Sequence, residues 1–278
     1  MSSRTPKSMP LKKAVVTTSW DDGDRADLKL ADLLHSRGVA GTLYVPIKPY
    51  LGRPALTRNE MRMLADAGFE IGGHGVDHEH MPSLSREETL RVVRECKNRL
   101  EATVGQPVRM FCYPGGHFTA VTVRCLADAG YYGARTTRML ATRLSFDRFE
   151  MPTTVQAYPH RGFTYFKNAV KAKRPARLYN YAIGGRSSWV ELGKRTFDRV
   201  LREGGVWHLY GHSWELEDHH LWDGLAELLD YVSHRDGVQY LTNGDTLAML
   251  QPGIDAIRER MQSCENTARS QQVPTAGR

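Results

Sequence analysis

The fold is decided by the stretch Ala14-Val15-Val16-Thr17-Thr18-Ser19-Trp20-Asp21-Asp22-Gly23. Its first seven residues combine β-branched side chains with an aromatic one, which is typical of a buried strand. Two acids and a glycine end the strand, and these residue types also suit an ordinary turn. The stretch therefore predicts a strand that has two acidic residues at its carboxyl end.

Strands and helices alternate along the rest of the chain. Runs of β-branched and apolar residues predict further strands at residues 39–46, 69–71, 108–112, 131–135, 206–210 and 238–241. Leucines at helical spacing, capping residues and terminal glycines predict helices at 26–37, 58–67, 85–103, 120–129, 163–171, 189–203 and 221–233. About seven such alternations favour parallel βα units with right-handed crossovers, closed or nearly closed into a barrel.

The length of the chain agrees with one barrel domain. Its 278 residues fall in the range of a single α/β barrel. We expect a flexible lead over residues 1–10, the barrel over residues 11–252, and a polar, partly disordered tail over residues 253–278.

Positive charge is concentrated in one part of the sequence. The whole chain has a formal net charge of +7, whereas residues 158–203 alone contain eleven basic and three acidic residues, a formal charge of +8. Two explanations of this excess are equally compatible with the sequence. The first is a solvated helix face, and the second is a binding surface for an anionic partner such as a phosphate, an acidic glycan or a membrane.

The sequence predicts neither export nor a membrane span. No apolar run approaches the roughly 18 residues that a span needs, and the apolar stretch at 14–16 is too short for a signal peptide. The four cysteines, Cys96, Cys112, Cys125 and Cys264, lack the spacing of a disulfide framework or a zinc site. We expect a cytoplasmic protein with reduced thiols and no transmembrane segment.

Polar residues with useful chemistry follow several predicted strands. Asp21 and Asp22 follow the first strand, His74 the third and His212 the strand at 206–210. The carboxyl ends of parallel strands meet on one face, where the sites of such folds form. Eight of the eleven histidines lie in or just after these segments. This clustering predicts an active site at that face.

One carboxylate and two imidazoles could make a metal site there. His74 and His78 are four residues apart, which places two imidazoles on one side of a helical turn or compact loop. Alone, the pair is equally compatible with hydrogen-bonded surface histidines. With an aspartate it forms a common hydrolytic triad that leaves positions open for water and substrate. The second aspartate can then face the water, and a histidine from a distant strand can act as general acid.

Four motifs resemble those of the polysaccharide deacetylase family (carbohydrate esterase family 4). In the family's order and rough spacing they are Ser19-Trp20-Asp21-Asp22-Gly23, His74-Gly75-Val76-Asp77-His78, Phe111-Cys112-Tyr113-Pro114-Gly115-Gly116 and Leu209-Tyr210-Gly211-His212. The resemblance covers about residues 14–245. It implies an α/β fold with a single distorted (β/α)7 barrel of parallel strands, and the removal of N-acetyl groups from amino sugars.

The resemblance also implies roles for single residues. Asp21 matches the family's general base and His212 its general acid. The residues at the metal-ligand positions are Asp22, His74 and His78, and we expect the ion to be Zn²⁺. The candidates for the oxyanion donor and for substrate contacts are Gly115, Tyr113, Tyr210 and Trp214.

The sequence departs from the family pattern in three places. The family commonly has an arginine that orients the base, and Cys112 occupies its position, with Arg109 three residues earlier. No motif matches the residue that orients the catalytic histidine, for which the candidates are Asp147, Glu215 and Glu217. Tyr210 stands where a leucine commonly lines the acetyl pocket.

These features predict a metal-dependent hydrolase that removes an N-acetyl or similar small acyl group from an amino sugar. A cytoplasmic location favours a glycan precursor, nucleotide-linked or lipid-linked and anionic, for example in lipopolysaccharide or O-antigen biosynthesis. The missing arginine suggests the alternative of a non-catalytic carbohydrate-binding homologue that retains the metal site. A nucleic-acid partner is not expected, because the basic stretch lacks a recognition motif. An iron(II) oxygenase is not expected either, because its close His-x-carboxylate pairing is absent. The oligomeric state stays open.

Overall fold

The computed structural model describes residues 13–160, 162–171, 175–184 and 188–251. The lead predicted at 1–10 and the tail predicted at 253–278 lie outside the described residues. Within them, eight strands form one sheet: β1 (Ala14–Asp21), β2 (Gly41–Val45), β3 (Glu70–Gly73), β4 (Met110–Cys112), β5 (Gly133–Arg135), β6 (Val155–Gln156), β7 (Gly205–Gly211) and β8 (Val238–Tyr240).

Ten α-helices connect and cover these strands in the described part of the chain. They are α1 (Asp27–His35), α2 (Arg58–Asp66), α3 (Arg86–Val104), α4 (Ala120–Asp128), α5 (Gly162–Lys171), α6 (Pro175–Gly184), α7 (Trp189–Glu203), α8 (Ser213–Asp218), α9 (Trp222–Val232) and α10 (Asn243–Leu250). No helix in the described ranges has both the length and the apolar character needed to cross a bilayer.

Strand β1 is the centre of the sheet. The strand order is β5-β4-β3-β2-β1-β7-β6, and β8 also pairs with β1. Along one edge of β1, β8 pairs with residues 14–16 and β2 with residues 18–21, while β7 pairs with residues 14–20 along the other edge. Every pairing between these strands is parallel.

The sheet curls into a half-barrel whose edge strands, β5 and β6, are linked by the chain between them. Arg135 forms a parallel bridge with Met151, and the amide of Leu140 donates to the carbonyl of Thr154. The predicted distorted (β/α)7 barrel with parallel strands is confirmed.

Side-chain caps fix the starts of two helices. The Thr57 hydroxyl accepts from the amide of Glu60, and the Ser85 hydroxyl accepts from the amide of Glu88. Each glutamate in turn accepts from the amide of its cap residue. Such reciprocal caps satisfy amides that have no partner within the helix. The sequence predicted both helices to within one residue at each end.

Polar residues gather at the carboxyl edge of the sheet. The last residues of β1, β4, β5 and β6 are Asp21, Cys112, Arg135 and Gln156, and His74 and His212 follow β3 and β7 directly. Because all these strands run parallel, their ends bring the six side chains to one edge. Behind them lies an apolar core that includes Trp20, Phe111 and Trp207, all fully buried.

Candidate active site

Asp22, His74 and His78 come together at this edge, as the sequence predicted. The Nε2 atom of His74 lies 3.5 Å from Oδ1 of Asp22, and Nε2 of His78 lies 3.7 Å from the same oxygen. Asp22 and His78 both have left-handed backbone conformations, with φ of +78° and +50°. Such conformations are costly for residues other than glycine and concentrate at functional sites.

The environment of this group fits a divalent cation. The Nδ1 atom of His74 lies 2.9 Å from the carbonyl oxygen of Cys112. When Nδ1 donates to that carbonyl, the lone pair on Nε2 is left free for a metal. Asp22 Oδ1 is buried without a hydrogen-bond partner, while Asp22 Oδ2 accepts from the Trp214 indole at 2.9 Å. A buried carboxylate oxygen without a donor, beside two imidazole nitrogens, suits a cation as its missing partner.

A second potential ligand group shares one of these histidines. Asp21, His74 and Cys112 also place one ligand atom each within 4.8 Å of one another. Burial raises the pKa of the Cys112 thiol, however, against the opposing effect of Arg135. Asp21 of this group is also bound by Arg135, whereas Oδ1 of Asp22 has no hydrogen-bond partner. The trio of Asp22, His74 and His78 is therefore the better candidate.

Asp21 is held by an arginine that sequence reasoning missed. The fully buried Arg135 donates from Nη2 to Oδ1 of Asp21, and its guanidinium lies 5.3 Å from the ring of Tyr44 and 4.9 Å from that of Tyr210. The Cys112 thiol lies 3.6 Å from the other oxygen, Oδ2. Burial favours the neutral acid, but the charges of Arg135, His74 and His212 together outweigh it, so the pKa of Asp21 lies below its ordinary value.

Arg135 thus makes the contact with Asp21 that was expected of an arginine at the position of Cys112. Arg135 and Cys112 are direct neighbours in the parallel register of β4 and β5. The sequence offered only Arg109 near the position of Cys112, whereas the arginine that binds Asp21 comes from the next strand of the sheet. Arg135 is the last residue of the strand predicted at 131–135, and this position was the one feature of the sequence that could have placed it near Asp21.

His212 has its own carboxylate partner. The Nδ1 atom of His212 lies 2.7 Å from Oε2 of Glu215, which also accepts from the Gln156 amide at 3.2 Å. Of the three candidates for this role, the structure places Glu215 against the imidazole. Burial lowers the pKa of His212, and the hydrogen bond to Glu215 with the charge of Asp21 outweighs that effect and raises it. The Nε2 atom faces the two aspartates, 3.9 Å from Asp21 and 3.8 Å from Asp22.

The remaining predicted site residues fall into different environments. Gly115 is exposed in the turn after β4, whereas Tyr113 is fully buried and donates to the carbonyl of Phe149. Tyr210 is also buried, and its hydroxyl donates to Gln156. Trp214 is half-buried between the rings of His212 and Tyr50, at 5.3 and 6.3 Å. The ring of Tyr113 is therefore part of the core and not of the site surface.

Part of the chain matches a known protein family. The family model for polysaccharide deacetylases matches residues 8–134, which include Asp21, Asp22, His74 and His78. Over these residues the chain is similar to the polysaccharide deacetylase family. The match ends before Arg135, and it leaves out the segment that carries His212 and Glu215. The roles of those residues therefore rest on their geometry.

A curated relative is similar to part of the chain. YxkH of Bacillus subtilis (strain 168), named as a polysaccharide deacetylase, is 25% identical over 134 residues. The aligned region is 48% of this chain and 48% of the relative, so the similarity spans about half the length of each protein.

Solved structures show the same fold over most of the chain. A polysaccharide deacetylase from Mycobacterium smegmatis has a TM-score of 0.64 at 18% identity, covering 90% of this chain and 95% of its own. A family 4 acetyl xylan esterase from Clostridium thermocellum, solved with a cobalt ion, has a TM-score of 0.55 at 14% identity, covering 86% and 92%. A mutant of a CE4 family pseudoenzyme from Bacillus anthracis, with restored enzymatic activity, has a TM-score of 0.51 at 18% identity, covering 85% and 68%.

Proposed function

We propose that this chain is a metal-dependent hydrolase that removes an N-acetyl or similar small acyl group from an amino sugar. One observation carries the proposal: a candidate metal trio and an acid–base pair lie close together at one sheet edge. Nε2 of His212 lies within 4 Å of both Asp21 and Asp22, and each of these aspartates has separate partners. Two adjacent carboxylates with different partners can divide metal binding from proton transfer.

Asp22, His74 and His78 would hold the ion in this proposal, and we expect Zn²⁺. A divalent ion bound there would polarise the scissile carbonyl and lower the pKa of a bound water. Trp214 fixes Oδ2 of Asp22, which leaves Oδ1 for the ion.

Asp21 and His212 would carry the protons. Asp21 accepts a proton from the water as the water oxygen bonds to the amide carbon. His212, with Glu215 on Nδ1, protonates the sugar nitrogen from Nε2 as the carbon–nitrogen bond breaks. The products are a carboxylic acid and an amino sugar with a free amine. The backbone amide of Gly115 is our candidate for a donor to the oxyanion.

Arg135 bears on the choice between an enzyme and a non-catalytic homologue. A buried guanidinium favours the ionised form of Asp21 and restricts its orientation, as a base requires. The loss of an arginine from the position of Cys112 was the reason to consider a carbohydrate-binding protein without turnover. With Arg135 in place, that reason no longer favours it.

The substrate that we propose is an anionic amino-sugar precursor, nucleotide-linked or lipid-linked. The charge of residues 158–203 supports an anionic partner. The buried cysteines Cys96, Cys112 and Cys125 are free thiols, which is compatible with a reducing compartment such as the cytoplasm. The half-buried Trp214 offers an aromatic face beside His212 for a sugar ring.

Metal analysis combined with an acetate-release screen tests the proposal. Purified protein should contain one divalent ion per chain and release acetate from at least one nucleotide-linked or lipid-linked N-acetyl amino sugar. Asp22→Ala, His74→Ala and His78→Ala should each lose both metal and activity. Unchanged metal content in all three variants would refute the ligand assignment. A metal-loaded protein that hydrolyses no acylated amino sugar would support the non-catalytic alternative.

A further inference from the structure

Helices α5 and α6 expose an unusual number of apolar side chains. Nine large apolar side chains are exposed in the described part of the chain, and five of these lie on the two helices: Phe163, Phe166, Val170, Leu178 and Tyr179. Phe163 is 63% exposed. On α5, the three exposed residues have the spacing i, i+3 and i+7, which places them on one face of the helix.

Other residues of the same helices attach the pair to the barrel. Tyr165 is only 1% exposed and contacts the ring of His160 at 5.7 Å between centroids. Asn180 is fully buried, donates to the carbonyl of Leu140 at 3.0 Å and accepts from Arg199 at 2.8 Å. Each helix therefore has a buried residue that attaches it to the barrel, and Arg199 of α7 also lies 4.7 Å from the ring of Tyr179.

The sequence around these helices is entirely without acidic residues. Between Glu150 and Glu191 there is no Asp or Glu, and the basic residues there are Arg161, Lys167, Lys171, Lys173, Arg174, Arg177 and Arg186. On α7, which follows this segment, Lys194 pairs with Glu227 and Arg199 with Glu203. In the sequence, the segment that has basic but no acidic residues is thus the one that carries the exposed apolar residues.

We propose that α5 and α6 form a membrane-docking surface for anionic lipid headgroups. Phenylalanine and leucine side chains with a high density of Lys and Arg are the composition of helices that lie in the interfacial plane of a bilayer. Anionic headgroups attract the basic residues, and the apolar side chains enter the boundary between headgroups and acyl chains. A nucleic acid would complement the charge but would give less reason for exposed Val170 and Leu178.

Helix α5 is linked to the candidate active site through His160, which contacts the ring of Tyr165 and lies 2.7 Å from the side-chain oxygen of Gln156. Helix α5 follows β6, and the last residue of β6, Gln156, donates to the Glu215 carboxylate that holds His212. A protein docked through α5 and α6 would present this edge of the barrel close to the headgroup layer. The access to lipid-linked substrates that this position would give rests on the proposed function, whereas the docking itself does not.

Vesicle flotation with the purified 278-residue chain tests the docking surface without any turnover. The wild type should float with vesicles of phosphatidylcholine and phosphatidylglycerol, and not with phosphatidylcholine alone. Because the Debye length falls from about 10 Å at 0.1 M salt to about 3 Å at 1 M, binding should weaken at high salt. Phe163→Ser/Phe166→Ser and Lys167→Glu/Lys171→Glu should each weaken binding by about tenfold or more.

Matched substitutions elsewhere provide the controls. Met63→Ser removes an apolar side chain that is 55% exposed on α2, and Arg58→Glu/Arg91→Glu reverses two exposed charges on α2 and α3. Both controls should float like the wild type, and all variants should have unchanged circular dichroism and melting temperature. Absence of vesicle binding by the folded wild type, or equal losses in variants and controls, would overturn the proposal. Tighter binding to single-stranded RNA than to vesicles, unchanged by Phe163→Ser/Phe166→Ser, would make the surface a nucleic-acid site instead.

Discussion

Asp21 and Asp22 are neighbours in the chain but have different partners. Asp21 is bound by Arg135, whereas Asp22 is bound by Trp214 and faces His74 and His78. Burial opposes ionisation of Asp22, yet the histidines and the Trp214 indole lower its pKa to about 2. The two carboxylates are therefore both ionised near neutral pH, and the difference between them lies in what each can contact.

Substitution of each aspartate by asparagine should distinguish proton transfer by Asp21 from metal binding by Asp22. Asp21→Asn should retain the metal and lower kcat by about 10²–10⁴, because the proton acceptor is lost. Asp22→Asn should weaken metal binding, because a neutral amide replaces a charged ligand. Metal content and initial rate, measured on both variants and on His212→Ala as a metal-retaining reference, check this expectation. If Asp21→Asn loses the metal while Asp22→Asn keeps it, the two roles are reversed.

The pair of Arg135 and Asp21 offers a second test at this scale. Arg135→Met should lower the free energy of unfolding by about 3–5 kcal/mol, because it leaves a buried carboxylate without its counter-charge. Adding Asp21→Asn should recover much of that stability, since no unpaired charge remains, but should not recover activity. Urea unfolding and kcat, followed on both single variants and the double variant, give the comparison.

Arg135→Lys separates positioning from folding. Lysine restores the charge but not the planar guanidinium geometry. We expect Arg135→Lys to recover stability more than kcat, with KM little changed. Equal recovery of both would mean that the arginine serves only the fold.

Glu215 and Glu217 form a matched pair of glutamates on α8. Glu215 contacts His212 at 2.7 Å, while Glu217 pairs with Lys29 on the exposed surface. Glu215→Gln should lower kcat by about 10²–10⁴, since an amide does not stabilise the imidazolium or fix its tautomer. Glu217→Gln should leave kcat unchanged. Steady-state kinetics of the two variants distinguish the residue that orients His212 from its neighbour.

The sequence predicted the residues of this site better than the contacts between them. Asp22, His74 and His78 could be found because strand ends and short spacing brought them into one pattern. Arg135 could not be assigned in this way, since its partner Asp21 is 114 residues away and an arginine at a strand end has many ordinary roles. Glu215 was one of three carboxylate candidates for orienting His212, together with Asp147 and Glu217. The path of the chain after His212 decides which of them reaches the imidazole, and the sequence does not give that path.

At the scale of secondary structure, two glycines with positive φ differ in the space that their surroundings leave for a Cβ atom. Gly205 begins β7 with a φ of +143°, and a Cβ atom there would overlap the carbonyl oxygen of Thr142. Gly68 follows α2 with a φ of +94°, and a Cβ atom there would meet no atom of the described residues beyond its chain neighbours within 4 Å. Both positions strain an alanine, but only Gly205 adds a collision with the backbone.

Alanine at these two glycines should therefore differ in cost. Gly68→Ala should lower the free energy of unfolding by about 1–2 kcal/mol, the usual cost of left-handed backbone for an alanine. Gly205→Ala should cost clearly more, because β7 or the segment near Thr142 must move. Denaturant midpoints of the two variants measure the difference, and equal midpoints would show that the collision is relieved without cost.

The elements that the sequence predicted are those with a repeating pattern. Strands β1 to β5, β7 and β8 were predicted from runs of β-branched and apolar residues, and α2 and α3 begin with capping boxes. Strand β6 has only two residues, Val155 and Gln156, which is too short for any periodicity. It exists because β7 offers a parallel edge, and that is a tertiary effect which no local pattern in the sequence records.

At the scale of the whole molecule, one buried acid affects how stability depends on pH. Asp27 begins α1 and is fully buried. Burial raises its pKa well above the ordinary value of 3.8, and the nearby charge of Asp24 adds to this effect. The folded state therefore keeps the proton on Asp27 at pH values where the unfolded state has lost it. Its contribution favours folding at low pH and declines as pH rises above that ordinary value.

Asp27→Asn should remove this dependence. The variant should resemble the wild type near about pH 4 and become progressively more stable than the wild type toward neutral pH. Asp32→Asn on the exposed side of the same helix is the control and should track the wild type throughout. Urea unfolding of the three proteins across this range provides the test, and a difference that does not grow with pH would contradict the assignment.

The central position of β1 also has a consequence for biosynthesis. Strand β1 leaves the ribosome first among the strands, but its longest pairing is with β7, which begins at Gly205. At about 5–20 residues per second, that partner is translated about 10–40 seconds after β1. During this interval the nascent chain has an apolar strand with one unpaired edge, the kind of edge that recruits other chains. Slow translation should therefore increase the dependence of this protein on ribosome-associated chaperones.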